Sequence, residues 1–323
     1  MKQEQQNVLE TAIRRDCSNI SGIVVQQDGV RVYERYWNGF SAGDCAHVFS
    51  VTKSVISALI GIALEQGCIR SIDQRVLDFF PYYTSKRGEK TIQRITLRDL
   101  LTMTAPYKYS SAPYTKYFSS EDWVKSALDL LGGKGQIGAF RYTPVIGPDI
   151  FSGILQAVTG KPILKFAAAS LFAPLAISPK HSLSFSGKDE QMAWYQKGKY
   201  NGDWVCDPQG VNTAGWGLTL TTREMASIGQ LYLDDGVQNG AQLIPAWWVR
   251  ESTTPHSRWA EKNLGYGYLW WVIDDHSFAA VGDGGNVIYG NRMKRLVVSI
   301  ASTFRPRVTD RIPFIQAQIE PLF

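Results

Sequence analysis

The first clear pattern along the chain is at residues 20–38, ISGIVVQQDGVRVYERYWN, where β-branched and aromatic positions flank Asp28-Gly29. A D-G pair between two such runs predicts a β-hairpin, because both residues accept the positive φ that a tight turn needs. Residues 50–66, SVTKSVISALIGIALEQ, are apolar almost all round, begin at a serine and stop before Gly67. That pattern predicts a buried helix with an N-cap and a C′ glycine. From about 73 to 205 the segments ITLRDLLTMT, SSEDWVKSALDLL and PDIFSGILQAVTG carry helical spacing broken by Gly and Pro. Beyond 210, TTREMASIGQLYLDDG and PAWWVRESTT predict helices. HSFAAVGDGG, NVIYGN and RLVVSIAST then predict three strands before a closing helix over 310–319.

Strands therefore stand at both ends of the chain and helices between them. If the terminal strands share one sheet, the chain is a single α/β unit. Its sheet lobe spans about 1–72 and 206–323, a helical lobe of about 73–205 is inserted, and the cleft between them is the natural place for a site. The 323 residues are 44% hydrophobic and 20% charged, which excludes disordered and fibrous classes and leaves room for a substantial core.

Charge changes little in this picture. The net charge is only +5, and the Arg292-Met293-Lys294-Arg295 cluster sits in an apparent hairpin turn, so it reads as solvated and no nucleic-acid partner is expected. MKQEQQNVLETAIRRD has no apolar signal-peptide core and no stretch approaches a membrane span. The chain reads as soluble and cytoplasmic, with no membrane partner. Cys17, Cys45, Cys68 and Cys206 are irregularly spaced and His47, His181, His256 and His276 are isolated, so neither a zinc site nor a disulfide framework is expected.

Ser50 and Lys53 lie three apart at the start of the predicted apolar helix. That spacing puts both on one face, where the amine reaches the hydroxyl. A serine needs a base to become a nucleophile, and a buried lysine can serve because desolvation lowers its pKa toward neutrality. The helix N-terminus adds unpaired N–H groups that favour the oxyanion of acyl transfer. An S-x-x-K match alone arises about once by chance in a chain this long, so the weight rests on the helix that it opens.

With FSVTKSVISALIGIALEQG, the segments ITLRDLLTMT, FRYTP, GILQAVTGKP, AGWGLTLTTREMASIGQLYLDDG and VGDGGNVIYG follow in order. Together, over about residues 20–303, they resemble the class C β-lactamase-like serine hydrolases. These belong to the penicillin-binding-protein superfamily, which also holds family VIII esterases, D-aminopeptidases and aminohexanoate-oligomer hydrolases. The resemblance implies a β-lactamase/transpeptidase-like antiparallel sheet flanked by helices, an acyl-enzyme on Ser50, and Lys53 as base. Tyr142 would be the second proton carrier, with Tyr107 and Tyr109 as stand-ins. A phenolate at Tyr142 beside the ammonium would be consistent chemistry. Asp283, Gly284, Gly285 and Asn286 would form the third motif, the Asn286 N–H serving as the second oxyanion donor. No cofactor is implied, and the partner is a small ester, amide or peptide-like molecule.

Two departures from the family pattern bear on substrate. Pro144 stands at the third position of Y-x-N, which removes an amide that would contact a β-lactam's acylamino group. Asp283 replaces the cation or histidine of the third motif, so an anion stands where the family receives a carboxylate. Penicillins are therefore expected to be poor substrates, and a family member that only binds ligands is the alternative. Gly39-Phe40-Ser41-Ala42-Gly43 matches the nucleophile elbow of α/β-hydrolases, but Asp44 to Phe49 separate it from the helix that an elbow requires. The tryptophan pairs 247–248 and 270–271 are expected in the core rather than in an acyl pocket.

Overall fold

The computed structural model describes residues 3–323. Ile20–Gln27 and Val30–Tyr36 pair antiparallel across a turn in which Asp28 and Gly29 both have positive φ, 50° and 77°. This hairpin joins the last three long strands in one sheet of eight, antiparallel throughout. Its spatial order is Val30–Tyr36, Ile20–Gln27, Leu296–Ser302, Asn286–Asn291, Ser277–Gly282, Trp271–Val272, Leu264–Tyr266 and Ser257–Trp259. Both chain ends thus supply the sheet, as the hydrophobic pattern predicts. The three short strands between 257 and 272 are an addition to that expectation.

Both faces of the sheet are covered, which is why Asn286–Asn291 and Leu296–Ser302 are buried at every position rather than at alternate ones. One face, with Ile23, Val25, Val298 and Ile300, packs on the Gln3–Asp16 helix and the closing helical segment that begins at Arg311. The opposite face, with Ile288, Val297 and Ala301, packs on Thr222–Leu233 and the Val51–Glu65 helix. At Gly229 a Cβ would stand 2.7 Å from Val297 Cγ1, so the absence of a side chain sets how closely Thr222–Leu233 approaches the sheet.

Val51 to Ala63 are all buried, and the helix stops where Gly67 turns to φ 70°. Its buried hydroxyls are paired: Ser54 donates to the Leu269 carbonyl at 2.8 Å and Ser57 to that of Tyr268 at 2.6 Å. Between 73 and 205 the helices Leu97–Leu101, Trp123–Leu130 and Asp149–Thr159 form where the Gly/Pro-broken patterns predict them. That region also holds short strands, His181–Leu183 pairing in parallel with Asp203–Val205. Among the described residues no helix is long and apolar enough to cross a membrane, and the four cysteines are free thiols.

Candidate active site

Phe49 has φ 49°, the left-handed region that a branched or bulky residue occupies only when its surroundings hold it there. Its ring is held 3.8 Å from His47 and 5.2 Å from Phe304, centroid to centroid. This kink delivers Ser50 to the mouth of the helix with its side chain making no capping bond, so the hydroxyl stays available. Gly282 closes the turn from the sheet side. A Cβ there would lie 2.1 Å from the Val48 carbonyl oxygen and 3.2 Å from the Ser50 nitrogen, so only glycine allows this approach.

Lys53 is 1% exposed. Its Nζ stands 2.8 Å from Ser50 Oγ and donates to the carbonyl oxygens of Pro144 at 2.7 Å and Gly215 at 2.8 Å. Burial lowers its pKa to about 7, and Asp283 and Asp149 partly oppose that shift. A neutral amine has two N–H groups and one lone pair. With the two carbonyls taking the N–H groups, the lone pair is left facing the Ser50 hydroxyl, the arrangement of a base awaiting a proton.

Tyr142 lies against this pair, with Lys53 Nζ 5.3 Å from its ring centroid and the Trp271 ring stacked at 5.5 Å. Burial pushes its phenol up, the Ser50 hydroxyl opposes this, and Asp283 adds to it. That direction favours a neutral phenol over a phenolate paired with an ammonium, since burial penalises the charged form. Among the described residues Tyr107 makes no hydrogen bond to Ser50 or Lys53. Its hydroxyl packs at Gly147 and Thr143, and its carbonyl, like that of Tyr109, accepts from Arg141.

The third-motif residues divide. Asp283 is exposed and its charge is felt at Lys53, Tyr142, Tyr114 and Tyr195. Gly284 and Gly285 form the hairpin turn, and the Gly284 and Gly285 carbonyls accept from Asn19 and Ser302. Asn286 is buried on the returning strand, pairs with Gly282, donates through Nδ2 to the Asp283 carbonyl and accepts the Ser302 N–H at Oδ1. The chain reverses over Asp283–Gly285, so Gly282, and not Asn286 as the expected second oxyanion donor, abuts the Ser50 amide. Among the described residues neither the Ser50 N–H nor the Asp283 N–H donates to a protein acceptor.

Ser50, Tyr142, Trp259, Trp271, Asp283 and Phe304 line a cavity of about 760 Å³. Trp271 is thus a wall of the site, whereas Trp270 and Trp248 are core and Trp247 is exposed. The same cavity is lined by Lys262, Arg305, Arg307 and Asp310, all exposed, so Asp283 is one of several charged groups around it. Among the described residues no three His, Cys, Asp or Glu side chains are grouped to hold a metal.

Two buried groups behind the site escape the sequence reading. Asp149 accepts the Tyr117 hydroxyl at 2.7 Å and the Ala214 N–H at 2.8 Å. His47, whose pKa burial lowers to about 3, accepts the Gly217 N–H at Nε2 over 3.0 Å, which leaves the proton on Nδ1. Their signal in the sequence is faint, since an acidic residue after a proline and a lone histidine have many uses. Ser41 of the elbow-like G-x-S-x-G is spent in a surface turn, its N–H and hydroxyl both donating to Asp44 at 2.7 Å.

A large antiparallel sheet flanked by helices is the β-lactamase/transpeptidase-like fold. The chain belongs to the Beta-lactamase family, whose match spans residues 15–317, and it is an enzyme of that serine hydrolase superfamily. It is 21% identical over 318 residues to the 6-aminohexanoate-dimer hydrolase of Paenarthrobacter ureafaciens, covering 91% of this chain and 75% of the relative. The penicillin binding protein of Bacillus halodurans superposes with a TM-score of 0.71 at 15% identity, covering 100% of each chain. A family VIII carboxylesterase superposes with a TM-score of 0.72 at 15% identity, covering 98% of this chain and 96% of its own. At these identities the superpositions speak for the fold.

Proposed function

We propose that the protein cleaves an ester or amide bond through an acyl-enzyme on Ser50, with Lys53 as the base and Tyr142 as the second proton carrier. The observation that carries this reading is the dry lysine held by two carbonyls with Ser50 Oγ at 2.8 Å. As Oγ attacks the carbonyl carbon, the hydroxyl proton passes to Lys53 Nζ. The developing oxyanion takes the Ser50 and Asp283 N–H groups, both without a protein acceptor. The Tyr142 phenol then protonates the leaving group and recovers its proton from Lys53, and water releases the acyl group by the same route.

Neutral or amine-bearing esters and amides suit the site better than β-lactams. Pro144 offers its carbonyl to Lys53 and has no side-chain amide for an acylamino group, and Asp283 places an anion beside the nucleophile. The 6-aminohexanoate-dimer hydrolase and the family VIII carboxylesterase among the relatives, by name an oligoamide and an ester enzyme, support the same direction.

A panel of short-chain p-nitrophenyl esters, D-amino-acid amides, aminohexanoate oligomers and nitrocefin, run with wild type and Ser50→Ala, tests the proposal. Ester turnover should exceed nitrocefin turnover, and Ser50→Ala should lose about 10⁴-fold or more while keeping its Tm. A fluorophosphonate probe should add covalently at Ser50. An intact, unlabelled Ser50 would favour a family member that only binds ligands, and an adduct on Ser41 would overturn the assignment.

A further inference from the structure

Asp149 opens the Asp149–Thr159 helix and is 2% exposed. A carboxylate in the first turn commonly does no more than complement the helix dipole. Here its hydrogen bonds run outward, to Tyr117, Ala214 and the Gly215 N–H, and so into the segment that holds Lys53. The Gly215 N–H reaches Asp149, and the Gly215 carbonyl receives Lys53 at 2.8 Å. A Cβ at Gly215 would lie 2.8 Å from the Pro144 carbonyl oxygen, so glycine is what lets the two carbonyls converge on one amine.

We propose that Asp149 is a positioning residue for Lys53, acting through the Gly215 backbone and through its own charge. The chain of contacts is continuous: Tyr117 hydroxyl to Asp149, Asp149 to the Ala214 and Gly215 amides, Gly215 carbonyl to Lys53, Lys53 to Ser50. Burial raises the carboxyl to about 6, and the bonds from Tyr117, Ala214 and Gly215 and the charge of Lys53 limit that rise. The anion and the amine therefore titrate near each other and bias each other, as coupled groups must. The other groups facing this pair are Asp283 toward Lys53, Tyr195 toward Asp149, and Asp207 and Tyr109 toward Tyr117. Tyr142 stands over Lys53 on the cavity side.

The inference rests on Lys53 being the base, and the experiment separates the two. Asp149→Asn keeps an oxygen for the Ala214 N–H and removes the charge. The acid limb of kcat/KM should then move to lower pH by about half a unit to one unit, because an amine without its nearby anion gives up its proton more readily. Asp149→Ala should lose turnover by about 10²-fold, because the Gly215 carbonyl is no longer pinned. Tyr117→Phe, which leaves the carboxylate in place but weakens it, should move the limb the same way by less.

A limb unmoved in both Asp149→Asn and Tyr117→Phe would overturn the inference, even if Tm falls, since that is what a helix-stabilising carboxylate would do. If Lys53→Arg keeps normal turnover, the base reading fails instead. Should Asp149→Asn not fold, the limb in Tyr117→Phe decides.

Discussion

Two lysines of this protein are removed from water, and they do opposite things. Lys180 is fully buried and its Nζ stands 2.8 Å from Glu224 Oε2. Glu224 also accepts the Ser178 and Thr221 N–H groups at 2.8 and 2.9 Å, closing the capping box of Thr222–Leu233. Lys53 is as deeply buried, yet its close partners are neutral: two carbonyls and a hydroxyl. Its nearest influential anions, Asp283 and Asp149, act at a distance. Burial alone does not make a lysine reactive. A contacting carboxylate stabilises the ammonium and makes a structural tie, whereas carbonyl partners leave the amine free to lose its proton near neutrality.

The comparison breaks most directly at Lys53. Lys53→Arg keeps the positive charge but cannot act as a base at neutral pH, so kcat/KM for an ester should fall by about 10³-fold or more with an unchanged fold. Near-normal turnover would remove Lys53 from the mechanism.

At Lys180 the loss should appear in stability. Lys180→Met strands Glu224 in the interior, a change that costs about 3–5 kcal/mol in comparable buried pairs. Tm should drop by several degrees, while turnover per folded molecule stays within a few-fold. A large loss of turnover at unchanged Tm would mean that the two sites are not separate.

The pH dependence of stability sharpens the contrast further. Lys53 has a folded pKa of about 7, well below the 10.5 of an ordinary lysine, so the unfolded chain binds its proton more tightly. Its destabilising effect is absent above about pH 10.5, grows as pH falls, and is complete below about pH 7. Between these limits wild type should lose stability relative to Lys53→Met by about 1.4 kcal/mol per pH unit at most. Melting curves of both proteins from pH 6 to 10 check the sign, and a difference that shrinks toward low pH would contradict the burial argument.

The smallest effect belongs to Asp283, whose exposure screens it. Asp283→Lys should raise kcat/KM for nitrocefin relative to a neutral ester by about tenfold, from the reversed charge beside an anionic substrate. No change in that ratio would show that Asp283 does not set the field the substrate meets.

What was local in the chain could be read from it. Asp28-Gly29 defines its hairpin, the apolar run from Val51 to Ala63 defines a buried helix, and Ser50 and Lys53 share a helical face because three residues nearly complete a turn. Strands at both ends were legible from β-branched runs. The strands at 257–272 were not, because two or three residues carry no period.

The partners that tune the site belong to tertiary structure. Gly215 lies 162 positions from Lys53 and Pro144 lies 91, and both contribute a backbone carbonyl, which every residue possesses and no side-chain pattern marks. Pro144 is instructive: its side chain reads as a lost contact, while its carbonyl is part of the lysine's cradle. Which residue of the Gly282–Asn286 turn meets Ser50 was likewise decided by where the hairpin reverses, since moving a turn changes the backbone group presented at a fixed point. The sequence could single out Ser50 and Lys53 as candidate nucleophile and base because their spacing is local. The environment that lowers the lysine's pKa comes from long-range burial, and the carbonyls that hold it converge out of distant segments.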